Sequence, residues 1–521
     1  MNENIRIRRA LLSVSDKTGL VDFARELISH EVEILSTGGT ARTLQQAGIP
    51  VTPVSSVTGF PEILGGRVKT LHPKIHGGIL ARRGDSGQMA ELEQHGIAPI
   101  DLVAVNLYPF EKTVSSADVT VADALENIDI GGPCMIRAAA KNYPAVAVIV
   151  EPAQYGQVIA EMKENGGSLS LETRRGLSLR AFQRTGQYDG AISAFLEGGE
   201  SSDAPPEAPS LHLRKVQDLR YGENPHQSAA LYKDASSYAV NPEYARQLHG
   251  KALSFNNILD MNAAIGLVAE FDSPCAVVLK HNNPCGAAVD TDIFKAYELA
   301  FQTDPVSAFG GIVALNRELD TPVAEKMSKV FLEVVLAPSF SSAALELLTV
   351  KKNIRLIEWP MDRAGQTGWD IKKVQDGYLL QSMDSGPGSE PEFKVVSERQ
   401  PTEEEWEGMR FGWKVVKWVK SNAVIYVKSG RTVGIGAGQM SRIDSSKLAV
   451  AKANEAGLDL NGTVVVSDAF FPFRDGVDAA AEAGATAVIE PGGSIRDEEV
   501  IAAANERGMA MVFTGIRHFR H

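Results

Sequence analysis

The segment ALLSVSDKTGLVDFARELISHEVEILSTGGT, residues 10–40, decides the fold of the first part of the chain. It opens on a short apolar run, Ala10 to Val14, that passes straight into the polar stretch SVSDKTG. Leu20, Phe23, Ala24, Leu27 and Ile28 then fall at i, i+3, i+4, i+7 and i+8, the spacing of one helix face. Val32 to Leu35 is a second apolar run, feeding STGGT and the helix-like TARTLQQAG. Asp101 to Leu107 and Ala145 to Val150 read as further buried strands. This β-α-β-α order predicts an α/β fold, a parallel sheet with helices on its faces. Ligands of such sheets bind beyond the carboxyl ends of the strands, where SVSDKTG, STGGT and NLYPF all fall.

The 521 residues hold 52 Lys and Arg against 65 Asp and Glu, a formal charge of −13. That balance argues against general binding to nucleic acid or anionic membranes, so a site for an anionic substrate must be a local basic pocket. Cys134, Cys275 and Cys285 are too few for a disulfide scaffold and fit a reducing compartment. The first apolar stretch is too short for a signal peptide, and no run approaches the ~18 apolar residues of a membrane span. The expectation is a cytoplasmic enzyme of small metabolites.

Apolar periodicity stops twice. GGESSDAPPEAPS, 198–210, reads as an interdomain linker, and a second break runs from Asp384 to Glu405. The expected divisions are an α/β core at 1–150, a helical remainder at 151–199, a linker at 200–210, and two pieces at 211–385 and 386–521. Those two pieces share an order: an apolar run, a polar or glycine loop, a helix, then S/T-D-x-x-x-x-F. The shared order suggests an internal duplication.

Common motifs exclude several chemistries. There is no P-loop, and GIGAG at 434–438 has Gln439 where a dinucleotide fingerprint needs glycine. Pro284-Cys285 lacks the second cysteine of a zinc deaminase, and no histidine is followed by x-E. The remaining loops are richer. SVSDKTG and STGGT put hydroxyls, a lysine and glycines at helix starts, which suits phosphate or simple helix capping. GGRVKTLHP carries Arg67 and Lys69, suited to an anion or to a solvated loop. NLYPF and NIDIGGPCMIRAAAKN hold Asn106, Tyr108, Asp129, Gly131, Gly132 and Lys141. Asp near Lys and Tyr fits acid–base work, or a capped helix. In KHNNPCG, Lys280-His281 follows a buried strand and can put a near-neutral base in a cleft, or a structural histidine. Cys285 reads as a small buried residue.

SVSDKTGL, STGGTA, TGFPE, GGRVKTLHPKIHGG, NLYPF, IDIGGP and RAAAKN occur in that order, followed by LRYGENPHQ, KHNNPCG, SDAFFPFRDG, PGGSIRD and RHFRH. Together they resemble the bifunctional phosphoribosylaminoimidazolecarboxamide (AICAR) formyltransferase/IMP cyclohydrolase family, over nearly the whole chain. The resemblance implies an N-terminal methylglyoxal-synthase-like parallel α/β domain. It implies a C-terminal transformylase of two cytidine-deaminase-like α/β subdomains without zinc. The implied function is the last two steps of de novo purine synthesis. The implied partners are small-molecule substrates and a second copy in a homodimer that shares the transformylase site, with no nucleic acid and no membrane. The implied co-substrate is 10-formyltetrahydrofolate, with no redox cofactor and no catalytic metal; a structural potassium ion is left open.

For formyl transfer the resemblance makes His281 the base, assisted by Lys280, with Asn422 at the formyl oxygen. Arg220, Tyr221, Asn257, Gly310, Arg442, Phe470 and Arg517 match positions lining the nucleotide and folate sites. For ring closure it implies Lys69, Tyr108, Asp129 and Lys141. Ser13, Ser15, Lys17, Ser36, Gly39, Thr40, Arg67 and Thr70 would hold phosphate and ribose, with Asn106, Gly131 and Gly132 beside the substrate. One departure is FLEVVLAPSF, with Glu333-Val334 where some members carry Asp-Gly. Two rival readings make the N-terminal domain a regulatory ligand-binding module beside a lone transformylase, or the C-terminal half a deaminase-like hydrolase.

Overall fold

The structure, a computed structural model, describes residues 4–114, 119–197, 205–211, 213–234, 245–360, 369–384 and 392–521. Of the expected linker, 200–204 lies outside the described residues, as does 385–391 of the second break. The chain forms two compact units, Met1–Arg214 with Asp234–Val240, and Lys215–Lys233 with Asn241–His521.

The first unit is built on strands β1 (Arg9–Val14), β2 (Glu33–Ser36), β3 (Thr52–Pro53), β4 (Leu102–Asn106) and β5 (Ala147–Ile149). They lie in the order β3-β2-β1-β4-β5, every pair parallel. Consecutive residues such as Leu11 and Leu12, or Val103 and Ala104, are all fully buried. A strand covered on both faces needs an unbroken apolar run, which is how these strands read in the sequence. Helix α1 (Leu20–Ser29) buries Leu20, Phe23, Ala24 and Leu27, the expected face. Helix α2 (Gly38–Gln46) follows β2. Helix α3 (Gly131–Lys141) packs against the long α4 (Leu171–Leu196), where Ser178 donates to the Ala140 carbonyl at 2.8 Å. Arg174 of α4 is fully buried, and its guanidinium donates to the carbonyls of Tyr143, Pro144 and Leu169. Those bonds offset the cost of burying its charge.

The second unit is built around a twelve-stranded sheet made of two similar halves. The first half contains β6 (Arg246–His249), β7 (Cys275–Lys280), β8 (Asn283–Val289), β9 (Gly311–Leu315), β10 (Leu332–Ala337) and β11 (Arg355–Glu358). The second contains β12 (Lys394–Val395), β13 (Val424–Lys428), β14 (Arg431–Gly436), β15 (Val464–Ser467), β16 (Ala487–Glu490) and β17 (Ala510–Phe513). The spatial order is β6-β11-β10-β9-β7-β8-β14-β13-β15-β16-β17-β12. Each half is a hairpin (β7-β8, β13-β14), then three parallel strands, then an antiparallel edge strand. The halves join where Ala288 pairs with Arg431, and the Thr432 hydroxyl bridges both polar groups of the Ala287 backbone.

The structure corrects one detail of the expected repeat. GIGAG begins inside β14 rather than forming a loop. Gly434 and Gly436 face α8 (Arg442–Glu455): a Cβ would stand 2.4 Å from the Ala449 carbonyl oxygen and 1.8 Å from that of Ser445. In the first half Gly286 of β8 does the same against α6 (Ile293–Thr303), 1.9 Å from the Ala300 oxygen. These glycines let a helix backbone lie directly on the sheet. The remaining helices needed below are α5 (Phe255–Val268), α7 (Glu403–Val416), α9 (Asp475–Glu482) and α10 (Asp497–Glu506).

Candidate active sites

In the first unit the carboxyl ends of β1, β2 and β4 carry the candidate residues. Asn106 ends β4 and pins the SVSDK loop: its Oδ1 accepts the N–H groups of Ser15 at 2.5 Å and Asp16 at 2.9 Å, and its Nδ2 donates to the Asp16 carbonyl. The Ser36 hydroxyl donates to the Leu12 carbonyl at 2.7 Å, and the Thr40 hydroxyl bridges both polar groups of the Val14 backbone. Both are buried, so these two hydroxyls brace the strand ends. Ser13 and Ser15 are half-buried above them.

Two ammonium groups reach the first turn of α2. Lys17 Nζ donates to the Ser15 carbonyl at 3.3 Å, and a Cβ on Gly39 would lie 3.9 Å from it. Lys69 Nζ lies 3.4 Å from the same point on Gly38 and 3.6 Å from Glu62 Oε2. The Lys69 chain passes over Gly66, where a Cβ would come within 2.6 Å of Lys69 Cε. Free backbone N–H groups and the helix dipole already favour an anion there, and two lysines strengthen it.

A second helix start adjoins the first. Gly132 N–H donates to Asp129 Oδ1 at 2.8 Å, and Asp129 N–H donates to the Tyr188 hydroxyl of α4 at 2.7 Å. A Cβ on Gly132 would lie 2.4 Å from Asp129 Oδ2, so glycine is required for this cap. A Cβ on Gly131 would lie 3.0 Å from the Thr70 hydroxyl, which puts buried Thr70 at the same helix start. Burial pushes the Asp129 carboxyl up, while Gly132 N–H and the charge of Lys69 pull it down. Lys69, Thr70, Asp129, Gly131 and Gly132 thus form one group. Tyr108 is 48% exposed, and exposed Arg67 pairs with Glu126. Lys141 is not brought into this group. It closes α3, exposed, about 15 Å of helix away from Gly131.

In the second unit Lys280 and His281 sit on the β7–β8 hairpin. His281 and Asn282 make its two-residue turn, with φ of 51° and 62°. Such left-handed pairs match the twist of the flanking strands. Asn282 N–H donates to Asp260 Oδ1 at 2.6 Å. Lys280 Nζ donates to the carbonyls of Gly310 at 2.8 Å and Phe309 at 3.3 Å. Gly310 has φ of 67° and donates its own N–H to the Phe331 carbonyl at 2.7 Å. Asn257 caps α5 in a reciprocal box with Ser254 and gives Nδ2 to Glu333 Oε2 at 3.0 Å. Burial pushes the Asp260 carboxyl up and Glu333 adds to that; the Asn282 N–H, His281 and Lys280 oppose it. A cavity of about 240 Å³ opens beside Lys280 and His281, with Cys285, Asp304, Ile435 and Lys452 among its walls. Burial pushes the Cys285 thiol up to about 12, which removes it as a nucleophile near neutral pH.

The second half of the unit supplies the rest. Lys420 N–H donates to Asn283 Oδ1 at 2.9 Å, tying the segment before Asn422 to the residue after the His281-Asn282 turn. Asn422 Nδ2 donates to the Gln439 carbonyl at 2.9 Å. Arg442 opens α8 and donates to Asp468 Oδ1 at 3.0 Å and to the Ser467 hydroxyl at 3.2 Å. The Phe519 ring lies 4.2 Å from the Arg517 guanidinium and 5.7 Å from that of Arg442. Phe470 is half-buried next to Asp468. Arg220 lies over the Tyr221 ring, and Asn256 donates to the Glu223 carbonyl at 3.3 Å, which brings the LRYGEN loop to the start of α5.

Asp260 is absent from the sequence-derived candidates. It lies one turn beyond Asn257 on α5, so the i, i+3 spacing was the available signal. Glu333, set aside as a departure, is the partner of Asn257. Among the described residues no helix is long and apolar enough to cross a membrane, and no group of three or more His, Cys, Asp or Glu is placed to hold a metal ion.

Comparison with known proteins gives three findings. A family model described as AICARFT/IMPCHase bienzyme matches residues 139–452. A model of the MGS-like domain matches residues 19–134. A solved structure titled "Crystal structure of ForH" is 35% identical, covering 36% of this chain and 97% of that one, with a TM-score of 0.34.

Proposed function

The chain belongs to the AICARFT/IMPCHase bienzyme family, and from that premise we propose that it performs the last two steps of de novo purine synthesis. Its MGS-like N-terminal domain and AICARFT/IMPCHase region are those of an enzyme with formyltransferase and cyclohydrolase activities. A formyltransferase of this family implies a folate co-substrate; our specific reading is 10-formyltetrahydrofolate.

In the first reaction the 5-amino nitrogen of AICAR attacks the formyl carbon. That amine is a weak nucleophile, because its lone pair is delocalised into the ring and the carboxamide. His281 takes its proton as the C–N bond forms, and the oxyanion that develops on the formyl group faces Lys280 and the Asn422 amide. Collapse breaks the bond to N10 of the folate, which leaves protonated as tetrahydrofolate. The Lys280 ammonium, anchored on the Gly310 carbonyl at 2.8 Å, has little freedom to lose on binding. Arg220, Tyr221, Asn257, Arg442, Phe470 and Arg517 frame the two substrates.

In the second reaction the carboxamide nitrogen attacks the formyl carbon of the same molecule, and water leaves. Both groups are already joined, so positioning supplies much of the rate. Lys17 and the free N–H groups of α2 hold the phosphate. Asp129 receives the proton released by the attacking nitrogen, and Lys69 and Tyr108 stabilise the oxyanion. Lys141 is assigned no step, since its distance from the group leaves it without one.

We take the domain limits to be 1–150, 151–199, 200–210, 211–385 and 386–521, and the protein to be a cytoplasmic homodimer with a shared transformylase site. The exposure of Val306, Phe309 and Phe331 near Lys280 supports a second copy there. The observation that carries the whole reading is one acid–base group per unit: Lys69 with Asp129 in the first, and Lys280 with His281 and Asp260 in the second.

The test is incubation of the purified protein with AICAR and 10-formyltetrahydrofolate, with chromatographic separation of products. Formation of IMP together with tetrahydrofolate supports both activities. Accumulated formyl-AICAR would leave the first unit a binding module, and unreacted AICAR would sink the transformylase reading.

A further inference from the structure

Glu490 ends β16 between the carboxyl ends of its parallel neighbours β15 and β17. Its side chain is fully buried. Oε2 accepts the Phe471 N–H at 2.7 Å, whereas Oε1 is buried with no hydrogen-bond partner among the described residues. The charged groups facing it are Arg442 from α8 and Asp497 from α10. Arg442 is already paired with Asp468, whose carboxylate lies 3.0 Å away. A second buried carboxylate here would be an uncompensated charge with one oxygen unsolvated, whereas a neutral carboxyl keeps its one good bond at far lower cost.

That bond has a defined purpose in the loop. Phe471 is anchored in the core over Gly476 of α9, where a Cβ would lie 2.2 Å from its ring. Phe470 and Asp468 are its near neighbours in the chain. We propose that Glu490 is a positioning residue of the transformylase site, a neutral carboxyl that clamps the Asp468–Phe473 loop and so sets Phe470 and Arg442 for substrate. This rests on reading the second unit as the site of formyl transfer.

Burial pushes the Glu490 carboxyl up to about 8; the Phe471 N–H and Arg442 oppose that rise and Asp497 adds to it. Above that pH, Arg442 faces two carboxylates and its grip on Asp468 is divided. The KM of formyl transfer therefore climbs above pH 8 while kcat changes less. Glu490→Gln keeps the acceptor and the volume but cannot ionise, so its KM stays near wild type at pH 7 and remains flat on the alkaline side. Glu490→Met keeps the volume without the acceptor, and its KM rises about tenfold at pH 7.

Melting curves test the proton independently of activity. The folded-state value lies above the usual carboxyl value of 4.5, so the folded wild type holds a proton that the unfolded chain has lost. Its stability from this group is present at low pH and lost as pH rises towards 8. Glu490→Gln removes that loss, so its Tm advantage grows from pH 5 to pH 9. A Tm difference constant over that range overturns the proposal even if formyl transfer is intact, and if no formyl transfer exists the melts still decide the protonation. If Glu490→Gln does not fold, Glu490→Met decides: a wild-type KM in that variant overturns the clamp.

Discussion

Lys17 and Lys69 reach the same helix start from different loops, their ammonium groups 3.9 Å and 3.4 Å from the Cβ positions of the adjacent residues Gly39 and Gly38. Convergence of two long side chains on one turn sets two positive charges side by side, with Glu62 3.6 Å from Lys69, Asp129 within reach of the Lys69 charge and Asp16 within reach of that of Lys17. A phosphate monoester bound at the α2 N–H groups would relieve that repulsion.

Lys17→Met and Lys69→Met therefore both weaken nucleotide binding. A charge-assisted bond contributes about 1.5–3 kcal/mol, so each substitution raises the Kd for IMP about 10–100-fold, with a shallower dependence on salt. Lys69→Met also lowers kcat for ring closure, because Lys69 acts on Asp129. Formyl transfer remains unchanged in both. Isothermal titration of IMP at two salt concentrations, with ring closure of synthetic formyl-AICAR, reads all of these effects. Unaltered IMP affinity in both variants would remove the phosphate site from α2.

The His281-Asn282 turn is held from outside the hairpin by Asp260. Replacing His281 with alanine removes the proton acceptor and lowers kcat for formyl transfer about 10²–10⁴-fold, with ring closure intact. Asp260→Asn keeps an oxygen for the Asn282 N–H but deletes the charge beside His281 and Lys280. It lowers kcat by a smaller factor and shifts the acid limb of the pH–rate profile, which a purely structural residue would not move. An Asp260→Asn profile superimposable on wild type would make Asp260 a turn anchor alone.

The Asp129 proton couples stability to activity in opposite directions. Burial raises its carboxyl above 3.8, so the folded state keeps a proton that the unfolded state loses, and the stability linked to this group falls as pH rises through the folded value. Activity runs the other way: the base is ionised only above that same value. Ring closure therefore shows an acid limb above the ordinary aspartate range, while the melting temperature declines across it. Asp129→Asn keeps an acceptor for Gly132 N–H, folds, and loses both the limb and most of the ring-closing rate. Paired Tm and kcat profiles from pH 4 to 8 check it, and an unchanged rate in Asp129→Asn would rule the carboxylate out of the chemistry.

Legibility in the sequence followed the range of the forces involved. Helix α1 showed itself because Leu20, Phe23, Ala24 and Leu27 are buried by local periodicity. The central strands showed themselves because burial on both faces leaves no polar alternation. The β7–β8 hairpin was hidden, since neither turn residue is glycine and the backbone of His281 and Asn282 is left-handed through tertiary support from Asp260. At the sites, Lys69 and Asp129 are sixty positions apart in the chain and meet only through the sheet. The same folding separates Lys141 from them, because α3 carries it away at 1.5 Å per residue. Ser36 and Thr40 looked like ligand hydroxyls by position, yet burial turned both onto backbone carbonyls.

The two halves of the large sheet make a matched stability test. Gly286 and Gly434 occupy corresponding strands, β8 and β14, and each faces a carbonyl oxygen of the covering helix, at 1.9 Å and 2.4 Å from a would-be Cβ. A methyl group at either position cannot be accommodated by a side-chain rotation, because the obstacle is backbone. The helix must lift, and the buried alanines beneath it lose contact. Overpacking of this kind costs about 1–3 kcal/mol, so Gly286→Ala and Gly434→Ala should each lower the melting temperature clearly. Gly438, by contrast, has nothing within 4 Å of a Cβ, and its cost on substitution comes from its φ of 67° alone. Gly438→Asn, which tolerates that conformation, should therefore melt near wild type while both strand variants do not. Equal melting temperatures for Gly286→Ala, Gly434→Ala and wild type would mean the helices do not rest on the sheet at those two points.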